Sequence, residues 1–328
     1  MRRTAALLGL PLLMIVAGCA PAGSEPVAPA DSDSRRDAFT QRATEVAEAW
    51  RPAPAWTTGY VPVQDPTVLL GDPGFTEATR TAFQSGWYRD QVDLPADLPA
   101  DLPADGTIRF PDGTLTVPLI SAATAYGQLD QGDPPPCGGR PKGPAGPNGP
   151  GRPGPGGPTI EPGPDGPVSS TPQTACVPLT VTAVKLGTAP VRTSRGEAQV
   201  PAWLFTVEEL SAPVARVAVA PSAVTALPEP VAPASPAPQG VVGAQDLRSV
   251  DGATLTWRLG VGSCDTGITP LVQERDDVVV VGGGVTTATG QCTMMLKLEP
   301  VTATLKAPLG DRPVLDVLTG APLRLTTS

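Results

Sequence analysis

Pro221-Ser-Ala-Val-Thr-Ala-Leu-Pro-Glu-Pro-Val-Ala-Pro-Ala-Ser-Pro-Ala-Pro-Gln239 divides this chain. Eleven of its nineteen residues are Pro or Ala. Pro locks φ and removes backbone donors, so the stretch reads as a stiff, extended linker that neither a helix nor a central strand can absorb. What lies on either side is rich in strand signals. Before it stand Leu179 to Leu186, Ala198 to Val207 and Val214-Ala-Arg-Val-Ala-Val-Ala220, the last a buried strand by its apolar run. After it comes a β-meander with strands over Thr254 to Val261, Thr269 to Glu274, Val278 to Val281, Thr293 to Leu298 and Thr302 to Lys306. The expected architecture is therefore α+β to mainly β: an α+β domain over 36–220, the linker over 221–239, and a β-rich domain over 240–328.

Helical signals are confined to the front of the first domain. Phe39, Ala43, Val46 and Trp50 recur at spacings of four, three and four, which places one apolar stripe on a helix ending before Pro52. Glu77 to Ser85 reads as a second, shorter helix, with Thr76 as N-cap and Gly86 just past its end. Further on, Thr107 to Phe110 and Thr114 to Leu119 flank Pro111-Asp-Gly113 and predict a hairpin.

Two inserts interrupt the order. Leu-Pro-Ala-Asp repeats three times up to Asp105, and Pro at every fourth position prevents a helix, so the unit reads as an extended, solvated spacer. Its aspartates lack the glycine turns that would gather them around calcium. Residues 138–167 hold eleven Gly and ten Pro. Their every-third-Gly register breaks at Gly151 and Ile160, which a collagen triple helix does not tolerate, so a disordered insert is expected.

The 328 residues carry a formal charge of −9, with 23 basic and 32 acidic side chains. That balance repels phosphate backbones and disfavours nucleic acid as a partner. Hydrophobic residues make up 40 %, below the usual range, because Pro and Gly crowd the linker and inserts.

The chain begins with Arg2-Arg3 followed by a thirteen-residue apolar run, Ala5 to Ala17, too short for a bilayer core that takes about 20 helical residues. It suits a secretory leader over 1–18. The residues after the arginine pair, Thr4-Ala-Ala6, lack the hydrophobic pair of a twin-arginine signal, so general secretion is expected. Val16-Ala-Gly-Cys19 closes the run: a branched residue, two small residues that let a peptidase approach, and a thiol for diacylglyceryl attachment. Residues 19–35 then read as a disordered tether rich in Pro, Ala and acids. The expected address is the extracytoplasmic face of the cell membrane, reached through lipid on Cys19.

With Cys19 acylated, Cys137, Cys176, Cys264 and Cys292 remain, an even number in an oxidising compartment. Three pairings are possible. Cys137–Cys176 with Cys264–Cys292 keeps each bond on one side of the linker, and loop closure makes each worth roughly 3–4 kcal/mol. A four-thiolate metal site lacks any closely spaced pair.

The chain has no histidine, so Ser–His and Cys–His catalysis is impossible within it and the commonest metal ligand is missing. No cofactor or metal is expected. Asp265-Thr-Gly267 has the tripeptide of aspartic proteases, but no second copy supplies the partner carboxylate, and a turn after a disulfide cysteine is the simpler reading. Gly282-Gly-Gly284 is followed by a poor helix former rather than a phosphate-binding helix, which leaves a hairpin loop. Glu208-Glu209 and Asp276-Asp277 are sequence neighbours that point to opposite faces of a strand. Trp203 and Trp257 lie in predicted strands and read as core.

The lipobox Val16-Ala-Gly-Cys19, the Pro/Ala tether, the paired cysteines and the ending Pro308-Leu-Gly-Asp-Arg312 … Asp316-Val-Leu-Thr-Gly320 together resemble uncharacterised actinobacterial secreted lipoproteins. The likeness implies export and lipid anchoring and transfers no functional residue beyond Cys19. The function expected is that of a non-catalytic lipoprotein that binds an unknown protein or small-molecule ligand, or has an envelope-structural role. The alternative is a cell-wall hydrolase working with carboxylates alone, which needs no histidine.

Overall fold

A computed structural model describes residues 32–92, 94, 104–132, 178–231, 233–288, 290–293 and 295–326. The leader, Cys19, most of the Leu-Pro-Ala-Asp repeat, the Gly/Pro insert, Cys137 and Cys176 lie outside the described residues. Within them, strands hold 45 % and helices 18 %, and two curled sheets form two β-rich domains with helices near the front. The expected fold class is observed.

The first sheet has seven strands. Its path runs β1 (Thr67–Leu69), β7 (Val214–Val217), β6 (Gly196–Val207), β3 (Asp105–Phe110), β4 (Gly113–Pro118). Along the other edge of β6 lies β5 (Leu179–Thr193), which also takes β2 (Tyr88–Asp90) in parallel. The β5–β6 hairpin pairs from Thr193↔Gly196 to Val181↔Val207, so the two predicted strands extend into one long ribbon. Its inward residues, among them Leu179, Val191, Val200 and Phe205, are fully buried and form the core with Ile108 and Val214. Helix α3 (Glu77–Ser85) matches its expected bounds. Thr76 accepts from Thr79 N, Thr79 closes a reciprocal capping box, and Gly86 ends the helix at φ 66°, where a Cβ is disfavoured. Helix α4 (Ala122–Leu129), capped by Ser121, was not expected.

The second sheet runs β10 (Thr266–Glu274), β11 (Val279–Thr286), β8 (Val241–Asp251), β9 (Thr254–Gly262), β12 (Leu296–Thr304), with β13 (Val314–Asp316) parallel to β11. The two strands expected over 293–298 and 302–306 are one continuous strand through Pro300. The absent N–H is tolerated because β12 pairs only with β9. The expected loop at Gly282–Gly284 is also corrected: all three glycines sit inside β11. Sterics explain it. A Cβ on Gly283 would overlap Leu259, and one on Gly282 would press on Val317 and Phe39. Glycine here admits neighbours on both faces of a buried strand rather than making a turn.

What covers the outer face of β11 is the first helix, α1 (Ser32–Ala49). Its stripe of Phe39, Ala43, Val46 and Ala47 packs on Val241, Leu271, Val280, Leu315 and Val317 of the second sheet, although its sequence position had assigned it to the first domain. It also starts at Ser32, inside the stretch expected to belong to the tether. Arg42, only 5 % exposed, fastens it: the guanidinium donates to the carbonyls of Val317 (3.3 Å), Leu318 (2.9 Å) and Ser235 (2.5 Å) and to the Ser235 hydroxyl (2.6 Å). Ser235 belongs to the Pro/Ala linker, which is thus tied down along its length. Thr225 N bonds Tyr60 O (2.9 Å) and Leu227 packs against Val61, Val63 and Trp56 of the short helix α2 (Ala55–Thr58).

The tail completes the joint. Leu325 N donates to Val63 O (2.8 Å), while on its other side Thr326 N donates to Leu247 O (2.9 Å).

Candidate functional site

An opening of about 660 Å³ lies where the two domains meet. One wall is made by turns of the first sheet: Pro111-Asp112 between β3 and β4, and Arg192 to Glu197 around the β5–β6 hairpin. The facing wall is made by Val250 and Gly252 at the β8–β9 turn and by Pro308, Gly310 and Asp311. Gln64 and Leu325 line it too. Volumes of a few hundred to a thousand Å³ are those of small-molecule sites.

Local sequence dictates the hairpin tip. Thr193 Oγ1 donates to Gly196 O (2.7 Å) and accepts from Arg195 N (3.1 Å), and Gly196 takes φ 87°, a left-handed position that suits glycine. Ser194, 7 % exposed, anchors the tip by donating to Trp56 O (2.5 Å). Arg195 is thereby aimed across the face of Phe110, 3.8 Å from the ring centroid, and forks onto Asp112 at 2.7 and 3.1 Å. That pairing holds the Asp112 carboxyl below its ordinary range.

Arg192 projects from β5 into the seam. Its guanidinium donates to Gly310 O across the joint (2.8 Å), and its backbone N–H donates to Gln64 Oε1 (2.8 Å). Burial lowers its pKa, opposed by the charges of Glu197 and Asp311. Glu197 and Asp311 stand on opposite walls, and the charge of each favours the ionised form of the half-buried Arg192. Arg192, Arg195, Asp112, Glu197 and Asp311 sum to one net negative charge. The cleft thus carries charges of both signs on walls that expose more apolar than polar surface, Val250 and Leu325 among them.

A second hollow of about 230 Å³ lies beside Arg216. Arg216 donates to Thr67 Oγ1 (2.9 Å) and Gln128 Oε1 (3.0 and 3.2 Å), bracing α4 against β1. Burial lowers its pKa and raises that of the nearby Tyr88 hydroxyl. Arg216, Gln128 and Thr67 are thus engaged in packing.

The residues weighed from sequence fall elsewhere. Cys264 and Cys292 are bonded to each other, as expected, and both are exposed. Asp265 sits in the adjoining turn and accepts from Gly262 N (2.8 Å). Glu209 accepts from Thr180 N and Oγ1, both at 2.7 Å, and Asp277 pairs with Arg275 (3.4 Å). Trp203 and Trp257 are core, their indole N–H groups donating to Ile120 O (2.9 Å) and Gly282 O (3.2 Å). The ending is a structural clasp. Arg312 donates to the carbonyls of Ala307, Pro308, Leu309 and Arg275, and buried Asp316 accepts from Ala244 N, Thr319 N and Thr319 Oγ1. Among the described residues no group of three or more His, Cys, Asp or Glu is placed to hold a metal ion, and no helix is long and apolar enough to cross a membrane. Of the cleft residues, Pro111-Asp112 and Pro308 to Asp311 fell in stretches marked from sequence only as a turn and as part of the ending, and Arg192, Arg195 and Glu197 were not marked. The signal available was a polar Thr193-Ser-Arg-Gly196 tip between two strands, but only the joint brings it to Asp311.

The class that fold and site define is a mostly β protein of two curled sheets with a cleft carrying charges of both signs at their joint. Comparison with protein families, with curated proteins and with solved structures returns no match.

Proposed function

We propose that the chain is a lipoprotein held on the extracytoplasmic face of the cell membrane through Cys19, and that it binds a small polar ligand or a partner segment in the joint cleft without catalysis. The lipobox and the likeness to actinobacterial secreted lipoproteins support the address. The observation that carries the binding reading is the slot of about 660 Å³ that Arg192 crosses to Gly310, with Glu197 on one wall and Asp311 on the other. Its built-in charges offer both donors and acceptors to a ligand carrying both. The net charge of −9 argues against nucleic acid. Thermal-shift screening of the chain from Ala20 onward, against cell-wall fragments, sugars, metals and peptides, tests the reading. A hit whose shift vanishes in Glu197→Gln and Arg192→Gln supports it. A hit that survives both substitutions binds elsewhere and overturns the assignment to the cleft.

One observation favours the second reading, a carboxylate-dependent cell-wall hydrolase: Glu197 and Asp311 enter one cleft from opposite walls. Such enzymes need one carboxyl to donate a proton and the other to act as base or nucleophile. Release of sugar from purified cell wall, abolished by Glu197→Gln and Asp311→Asn separately, would establish it.

A further inference from the structure

Strand directions in the second sheet separate its two ends. Val241 begins β8, Gly262 ends β9, Thr266 begins β10, Thr286 ends β11 and Leu296 begins β12, and pairing brings these positions to one pole. Thr266 lies opposite Thr286 and Leu296 opposite Gly262, and Ser263 N bonds Met295 O (3.0 Å). The Cys264–Cys292 bond sits on the same pole. The first turn of α1 comes here as well: Arg35 donates to Thr286 Oγ1 (3.2 Å) and lies against Gly240. The opposite pole holds Gly252 at the β8–β9 turn and faces the cleft.

Apolar exposure is concentrated on the first pole. Met295 (63 %), Leu296 (71 %) and Leu298 (41 %) are three of the five large hydrophobic side chains exposed among the described residues. Gly260 and Gly262 stand opposite Leu298 and Leu296, so no side chain on β9 shields them. Only twelve residues separate Cys19 from Ser32, a reach of at most about 45 Å at 3.3–3.6 Å per residue.

We infer that this pole, with Met295, Leu296 and Leu298 at its tip, rests on the lipid bilayer and points the joint cleft away from it. The inference rests on the lipoprotein reading, because the attachment of α1 determines which pole faces the membrane. Apolar insertion drives the contact. Arg35, Arg36 and Lys297 are matched in number by Asp33, Asp265 and Glu299, the last 2.5 Å from Lys297, so the pole has no basic excess for anionic headgroups. Three side chains are too few to hold a protein on a membrane alone, but they suffice to orient one already tethered.

Hydrogen exchange on vesicles of phosphatidylethanolamine and phosphatidylglycerol tests this with two samples. One is the acylated protein from native membranes; the other is the chain from Ala20 carrying an N-terminal hexahistidine tag on nickel-chelating lipid. In both, amides of residues 295–298 should exchange several-fold more slowly on vesicles than in solution, in low and high salt alike, while those of 250–252 and 309–311 stay unchanged. Leu296→Ser with Leu298→Ser, both exposed positions, should abolish the slowing while the protein stays bound. Unchanged exchange at 295–298 in vesicle-bound protein overturns the inference. So does slowing that appears in solution with rising protein concentration, which would make the pole a contact between copies. Absence of acyl mass on Cys19 overturns the lipoprotein reading instead, and the tagged sample still reports on the pole.

Discussion

Val63 and Leu325 are joined backbone to backbone, Leu325 N donating to Val63 O at 2.8 Å, although they stand at opposite ends of the described chain. Asp65 N returns a bond to Leu325 O (3.0 Å), and neighbouring Arg324 O accepts from Leu247 N (2.9 Å). The segment 324–326 is thus a short splice between the first and second sheets.

Leu325→Pro removes the donor to Val63 and leaves that carbonyl unpaired, at a cost of about 1–3 kcal/mol. The expected result is a lower urea midpoint together with faster hydrogen exchange at Asp65, whose amide is otherwise held by Leu325. An unchanged midpoint and unchanged exchange would show that the splice is dispensable.

Arg42→Met retains much of the buried stem but orphans the carbonyls of Val317, Leu318 and Ser235. Bonds from a charged donor are worth more than neutral ones, so a loss of about 2–4 kcal/mol is expected. Arg42→Lys should recover only part of it, because one ammonium cannot span the fork. Equilibrium unfolding of the three proteins, ranked Arg above Lys above Met, checks this.

Cys264 and Cys292 close a loop over a sequence separation of 28, for which loop-closure entropy predicts about 3–4 kcal/mol. Because both residues are exposed, a mild thiol reductant should open the bond without prior unfolding. The double variant Cys264→Ser, Cys292→Ser should unfold at lower denaturant and be insensitive to reductant, as read by paired melts with and without it.

Asp112 is held ionised by the fork of Arg195, so its carboxyl titrates below the ordinary aspartate range. A depressed folded pKa gives stability that is present above the unfolded pKa and is lost as pH falls through the folded one. The window is therefore acidic, and the effect is small because the carboxylate is solvated. Carbon-detected NMR titration should find Asp112 depressed, and Arg195→Gln should move it upward. An unshifted titration in the wild type would refute the pairing.

Legibility followed the range of the interactions. Phe39, Ala43 and Val46 announced a helix because a 3.6-residue period survives in any context, yet the same residues carried nothing about which sheet they would cover. Val278 to Val281 read as a strand, but Gly282–Gly284 read as a loop, since a glycine run marks a turn unless neighbours press from both sides. Strand β8 went unread because Gly243 and interspersed polar residues blur its alternation, and partners on both edges supply what propensity lacks. At the cleft, Pro111-Asp-Gly113 was visible as a turn. Nothing local tied Asp112 to Arg195, eighty-three residues later in the chain.

The sequence alone determined the β-rich class and the cap and stop of α3, favoured Cys264–Cys292 among three pairings, and carries the apolar run and lipobox on which the proposed address rests. Each depends on nearby residues or on simple parity. Tertiary structure alone decided that α1 serves the second sheet, that segment 324–326 splices the two, and that Arg192 meets Gly310 across the cleft. Those contacts join residues more than seventy positions apart, and burial and backbone pairing select them only once both sheets have formed.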